Sequence, residues 1–384
     1  MHRDILKKLI DLAPTLIPII IAYFEVIGLF GNINLIVATI RRKHLRTKHG
    51  VLLALTTFYQ TLCLLGELAN FGSALYGGPH KQNLCFLVMT PYIWFCCMQS
   101  TMFLVLSLDT LFSVLCPLKH MVTRLWIYVS ILSIPPVVYA ALIISLNAVE
   151  LFYGESRNNT VVICNPPLSM DPTIASFWVN WNGFSNLGVL CIHFTIYLIV
   201  TKREKKQLEL GRVVKDASDK HDQKQDRKPP PMRKTLSMTS LGAQVKKAVE
   251  RKRVLISLMW LVAIFSCTWC TCMLSQVIVS WMPPSDMTIV VETYAVIFAL
   301  MAYSVNYYVY FARNQTYRKV FLEQLGCLLP ERFRNGTVWN RSQSYGSLHT
   351  LAGRSTVHTL PSSRHQSKYG ANRQSSNRIE PRGF

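Results

Sequence analysis

Four carboxylates stand where carboxylates are costly. Glu25, Glu67, Asp109 and Glu292 each interrupt a long apolar run. An ionised acid held away from water needs a partner, so each is a candidate binding or switching group. Asp109 is the only acid between Leu84 and Leu115, near the end of a run that starts at Cys85 and is closed by Cys116-Pro117-Leu118. A basic residue of the following loop, Lys119 or Arg124, is the expected partner; the bland alternative is a solvated acid at a helix end. Three thiols, Cys267, Cys270 and Cys272, invite a metal ion. Their spacing spreads them over several helix faces with no histidine nearby, so packing is expected instead. The chain shows no nucleophile–base pair and no metal constellation, and neither enzymatic activity nor a cofactor is expected.

The apolar runs that must carry these groups have membrane length. Seven windows qualify: Leu16–Ile40, Val51–Leu75, Leu84–Leu115, Leu125–Leu146, Ile174–Val200, Val254–Trp281 and Met287–Phe311. Backbone polar groups in lipid must satisfy one another, so each window reads as a helix and the fold as an all-α seven-helix transmembrane bundle. The net charge of +21 would suit nucleic acid if it were spread over one folded surface. It is instead one-sided. If the amino terminus is outside, all but Arg3, Lys7, Lys8, Lys81 and Arg157 of the 41 Lys and Arg fall on the cytoplasmic face. The positive-inside rule therefore predicts an extracellular amino terminus and a cytoplasmic tail in a multi-pass plasma-membrane protein, with no nucleic-acid partner. The first apolar run is too long for a cleaved signal and reads as a signal anchor.

This topology sorts the remaining signals. Residues 1–15 form a short outer segment and 16–311 the membrane domain. Cys85 and Cys164 both fall at the outer face, where oxidising conditions favour a disulfide, two unrelated thiols being the alternative. The sequon at Asn158 lies in the second outer loop and is open to glycosylation, whereas Asn314, Asn335 and Asn340 would stay bare in the cytoplasm. Residues 202–250, with the run Pro229-Pro230-Pro231, form a basic third inner loop expected to be disordered in its middle. Residues 312–327 make a basic amphipathic helix for the lipid surface. Cys327 is a candidate acylation site at its end. Residues 328–384 are expected to be a disordered tail. Arg233-Lys234-Thr235-Leu236-Ser237 and the tail serines suit kinases, and through them arrestin.

Several motifs resemble the rhodopsin-like G-protein-coupled receptors. Gly31-Asn32 resembles that family's span-1 Gly-Asn. Cys85 stands 24 residues before Asp109, the spacing from the family's disulfide cysteine to the acid of its Asp-Arg-Tyr motif. Phe265 and Trp269 resemble the span-6 Phe-x-x-x-Trp, and Asn306 through Tyr310 resembles Asn-Pro-x-x-Tyr. More narrowly, 43–50, Cys63–Leu68 and Leu111–His120 look like the nematode serpentine chemoreceptors of the srsx class. The resemblance covers about Leu16–Cys327.

It implies a receptor that binds an extracellular ligand, a chemosensory cue, neuropeptide or other small molecule, among Glu67, Tyr92, Trp269, Cys272 and Glu292. A heterotrimeric G protein would engage the inner face. In the resembled fold spans 1, 2 and 7 are neighbours, which would gather Glu25, Glu67 and Glu292 into a cation-attracting recess; wetted acids near the interface are the alternative. Tyr92 stands where amine receptors carry an aspartate, and Leu300 where opsins carry their retinal lysine. Asp109, Thr110, Asn306 and Tyr310 take the coupling positions. The departures are Thr110 for the motif arginine, Tyr307 and Thr271 for prolines, and Thr57 for the span-2 aspartate. The missing arginine keeps a second reading open, a non-signalling binding or decoy protein of the same fold.

Overall fold

The computed structural model describes residues 2–76, 80–154, 159–161, 164–222, 259–279, 281–283 and 285–326. They form ten α-helices: α1 (His2–Arg41), α2 (Lys48–Tyr76), α3 (Gln82–Leu115), α4 (Pro117–Val122), α5 (Leu125–Tyr153), α6 (Pro166–Ser169), α7 (Pro172–Asp222), α8 (Met259–Val279), α9 (Asp286–Arg313) and α10 (Gln315–Gly326), with a short 3-10 turn at Lys43–Leu45. Seven of them, α1, α2, α3, α5, α7, α8 and α9, are long and apolar enough to span a bilayer. Their outward faces carry Val26, Trp126, Phe184 and Phe194, each more than 60% exposed. Water would not tolerate that display, but lipid does. The chain is a multi-pass membrane protein.

α3 is the central helix. Its most apolar window is 72% buried, against 28–56% for the other six, and it packs on α2, α5, α6 and α7. Prolines within the spans do not break them: Pro91 lies inside α3, and Pro135-Pro136 inside α5. Two elements outrun the sequence expectation. α1 starts at His2 rather than near Leu16, and Tyr294 on α9 donates to the Leu9 carbonyl at 3.2 Å. α7 continues to Asp222, because the Lys, Glu, Gln and Leu residues after 201 are good helix formers. Much of the third loop, Arg233–Ser237 included, and everything from Cys327 onward lie outside the described residues.

Helices in lipid gain little from the hydrophobic effect against one another, so close backbone approach carries much of the packing. At Gly31, an added Cβ would lie 2.9 Å from the Tyr307 Cβ; at Gly66, it would lie 2.6–2.9 Å from three Tyr92 carbons. α1 thus rides on α9, and α2 on α3. Polar side chains join the same helices. Asn32 donates to the Tyr303 carbonyl at 3.1 Å and Gln60 to the Ala302 carbonyl at 3.3 Å. α10 then docks by ring contacts, Phe321 lying 4.5 Å from Tyr307 and Tyr317 4.8 Å from Tyr310, centre to centre. Burial pushes the Tyr317 phenol up to about 12, so the hydroxyl stays neutral in this contact.

Substituting Gly66→Ala forces α2 from α3 and is expected to cost about 1 to 3 kcal/mol, read as a lower melting temperature of the purified protein in detergent. Gly183→Ala, where a Cβ meets nothing within 4 Å, is the matched control and leaves the melting temperature unchanged.

Candidate functional site

At the Cys85 end of α3 a loop is strapped across the bundle. β1 (His80–Lys81) pairs antiparallel with β2 (Thr160–Val161), and Cys85 is bonded to Cys164 with their Cα atoms 5.5 Å apart. That separation lies in the ordinary range for a disulfide. Gln82 secures the strap from below, donating to the carbonyls of Leu168 at 3.1 Å and Met170 at 2.7 Å. The Asn147 side chain accepts from the Asp171 amide at 2.9 Å, while Asp171 caps α7 through the amides of Thr173 and Ile174. Asn158 falls outside the described residues.

Beneath the strap lies a buried polar cluster. Tyr92 donates to Glu67, and its hydroxyl is 3.5 Å from that of Tyr303. Tyr303 in turn is 3.2 Å from the Cys96 sulfur, which lies 3.8 Å from that of Cys63. Glu25 belongs to the same layer. An added Cβ on Gly28 of α1 would touch Leu64 of α2 and Ser304 of α9, so one turn toward the Cys85 end α1 and α2 offer Glu25 and Glu67. Glu25 is 5% exposed and neither of its oxygens meets a hydrogen-bond donor among the described residues. Two of the three glutamates thus share one level, and Glu292 lies on α9 with its side chain outside what the structure describes. Among the described residues, no group of three or more metal-ligating side chains occurs. Cys267 is exposed, Cys270 half-buried and Cys272 buried. Cys270 faces Asn186 on α7 at 2.7 Å, and Cys272 faces the backbone of Ala299 on α9.

An aromatic column descends from this cluster. Tyr303 lies 5.8 Å from Trp269, Trp269 stacks 6.0 Å from Phe265, and Phe265 stacks 3.6 Å from Phe103 on α3. α8 is held to α9 and α3 by these rings, and to α7 by Asn186, which donates to the Ser266 carbonyl at 3.1 Å. Further along, Asn306 donates to Gln60 and, at 3.2 Å, to Thr57.

The opposite end of α3 corrects one sequence expectation. Asp109 is buried, its side chain 1% exposed, but neither Lys119 nor Arg124 is its partner; both are exposed. Its Oδ1 accepts from His120 at 2.9 Å and from the Tyr128 hydroxyl at 2.9 Å, while Nδ1 of His49 stands 3.6 Å from Oδ2. The reason is reach: α4 turns His120 back onto α3, and α5 and α2 bring Tyr128 and His49 from either side. Lys48 crosses above, donating to the His120 carbonyl with its ammonium 4.8 Å over the Tyr128 ring. His49 Nε2 also lies 3.1 Å from the hydroxyl of Tyr310 on α9. Thr110 takes no part, since its hydroxyl bonds back to the Leu106 carbonyl at 2.9 Å. Sequence reasoning missed His49, His120, Tyr128, Gln60 and Tyr303. The signal for the first two was two histidines flanking the ends of apolar runs that converge on one buried acid.

Removing the Tyr92 hydroxyl deprives buried Glu67 of a donor. Tyr92→Phe is expected to destabilise the fold by about 1 to 3 kcal/mol in thermal unfolding, and Tyr92→Phe combined with Glu67→Gln to recover part of that loss.

Residues 25–325, more than three quarters of the chain, match the family described as "Serpentine type 7TM GPCR chemoreceptor Srsx". No curated protein matches the chain. The family is one of receptors, and the match runs from the middle of the first membrane-spanning helix through the other six and the strap to the end of α10. With the bundle, the bonded Cys85 and Cys164 and the family match in agreement, the chain belongs to the serpentine seven-transmembrane chemoreceptors of the Srsx family.

Proposed function

We propose that this chemoreceptor lies in the plasma membrane with its amino terminus outside, takes an extracellular ligand between the helices below the Cys85–Cys164 strap, and signals to a heterotrimeric G protein at its Asp109 end. The observation that carries this reading is the buried column Glu67, Tyr92, Tyr303, Trp269, Phe265 and Phe103, which runs without a break from the strapped end toward the inner half. A ligand that favours one arrangement of Tyr92 and Trp269 shifts the population of the α8 position, because each ring is packed against the next. Cys272, one turn from Trp269, borders the same region, and Glu292 is assigned to the ligand as a candidate by its place on α9. The buried Glu25 beside Glu67, which meets no donor among the described residues, favours a ligand with a cationic group.

Around this core, residues 1–15 face outward with the glycan at Asn158, and residues 202–250 and 328–384 are cytoplasmic. Kinases and arrestin act on those segments, and α10, with a lipid chain on Cys327, rests on the inner leaflet. The chemistry is population shift among packings, with no covalent step.

A second reading, a binding or decoy protein that does not signal, is favoured by one observation: Thr110 replaces the motif arginine and spends its hydroxyl within its own helix. A screen of chemosensory cues read out by nucleotide exchange on co-expressed G proteins separates the two. Activation of the wild type by a cue is expected. Silence of the wild type, with signal only from Thr110→Arg, overturns the signalling reading in favour of the decoy.

Orientation has its own check. Endoglycosidase treatment is expected to shift the wild-type band, Asn158→Gln to abolish the shift and Asn335→Gln to leave it. A shift lost only in Asn335→Gln would invert the topology.

A further inference from the structure

Among the described residues no arginine meets the acid at the inner end of α3, and one of the side chains that face it reaches a second helix. His120 sits in α4, immediately after α3, and Tyr128 sits in α5; both contacts stay on the α3 side of the bundle. His49 differs. Its Nδ1 faces Asp109 on α3 at 3.6 Å and its Nε2 faces Tyr310 on α9 at 3.1 Å. Among the described residues it is the side chain that touches both helices at this level.

A single tautomer serves both contacts. A carboxylate accepts only, so the proton belongs on Nδ1; that leaves the Nε2 lone pair to accept from the Tyr310 O–H. The α9 contact is within hydrogen-bond range and the α3 contact is beyond it, so the α3 side parts first when the helices separate. The surroundings limit other arrangements. Lys48 on α2 is occupied with the His120 carbonyl, Tyr128 on α5 with Asp109, and His193 on α7 faces the Val189 carbonyl at 2.9 Å. Tyr310 itself is 1% exposed and is backed by Tyr317 of α10.

We propose that His49 is a positioning residue for coupling: its one ring tethers Asp109 on α3 to Tyr310 on α9, holding the inner end closed in the unliganded state and parting on activation. The tether takes over the restraint on Asp109 that the missing arginine cannot supply. This rests on the reading that a G protein engages this end, so the test has one readout that needs no G protein.

Trp260 on α8 supplies it, because the Arg313 guanidinium of α9 lies 4.8 Å over its ring, so its environment reports how α8 and α9 sit at the inner end. The full chain is labelled with 5-fluorotryptophan in lipid nanodiscs, and the Trp260 fluorine resonance is assigned with Trp260→Phe. His49→Phe and Tyr310→Phe are expected to raise the same second Trp260 resonance about fivefold or more above wild type, with the double variant no larger than His49→Phe alone. Basal nucleotide exchange on added G protein is expected to rise in parallel. Tyr310→Phe removes one oxygen, so it decides the matter if His49→Phe fails to fold. A Trp260 spectrum in Tyr310→Phe identical to wild type overturns the tether. A new resonance without any nucleotide exchange leaves the tether standing and overturns the signalling reading instead.

Discussion

An ionised carboxylate is costly in a low-dielectric interior unless its charge is answered, and the Asp109 half of this bundle is arranged around that constraint. Asp109 has 1% of its side chain exposed, and desolvating it would cost several kcal/mol if nothing answered its charge. Donors or cations from four helices answer it or brace those that do: His49 and Lys48 of α2, His120 of α4, Tyr128 of α5, and Tyr310 of α9 through His49. Each of those helices must hold its position for the acid to remain satisfied. The packing at that end is therefore a shared condition and not a sum of independent contacts.

The other end is built on the opposite logic. There the bonded Cys85–Cys164 strap and Gln82 fix the lid, while beneath it Glu25 meets no donor among the described residues and Glu67 accepts from Tyr92. Between the two ends the stacked rings of Tyr303, Trp269, Phe265 and Phe103 leave little room for independent motion. The small residues Gly28, Gly31 and Gly66 let α1, α2, α3 and α9 approach closely enough to move as packed pieces. A packed interior with two arrangements transmits a small displacement better than a soft one does.

The architecture was legible because its cause is compositional: seven apolar runs of membrane length leave the backbone no option but helices, and the motifs from Gly31-Asn32 to Tyr310 mark their family. Glu25 and Glu67 were legible as neighbours by the same resemblance. The partners of Asp109 were not. Sequence reasoning chose Lys119 and Arg124 because full charges are the usual answer to a buried acid. The choice was made instead by the turn of α4, which places His120 on the acid and its neighbour Lys119 in solvent. His49 was missed for a related reason: a histidine 60 residues away in sequence becomes a partner only once α2 and α3 are antiparallel and in contact. The helical continuation of α7 to Asp222 was half legible, since propensity favours it but does not say where within residues 202–250 it stops.

If the Asp109 cluster is one cooperative unit, a double-mutant cycle in thermal unfolding reads the coupling between its members. His49→Phe, Asp109→Asn and their combination are compared in nanodiscs without ligand or G protein. Strong non-additivity is expected, the second substitution costing markedly less once the first is present, with a coupling of about 1 kcal/mol or more. Effects that add to within about 0.3 to 0.5 kcal/mol would mean that His49 and Asp109 do not act on one another, and would contradict the cooperative unit.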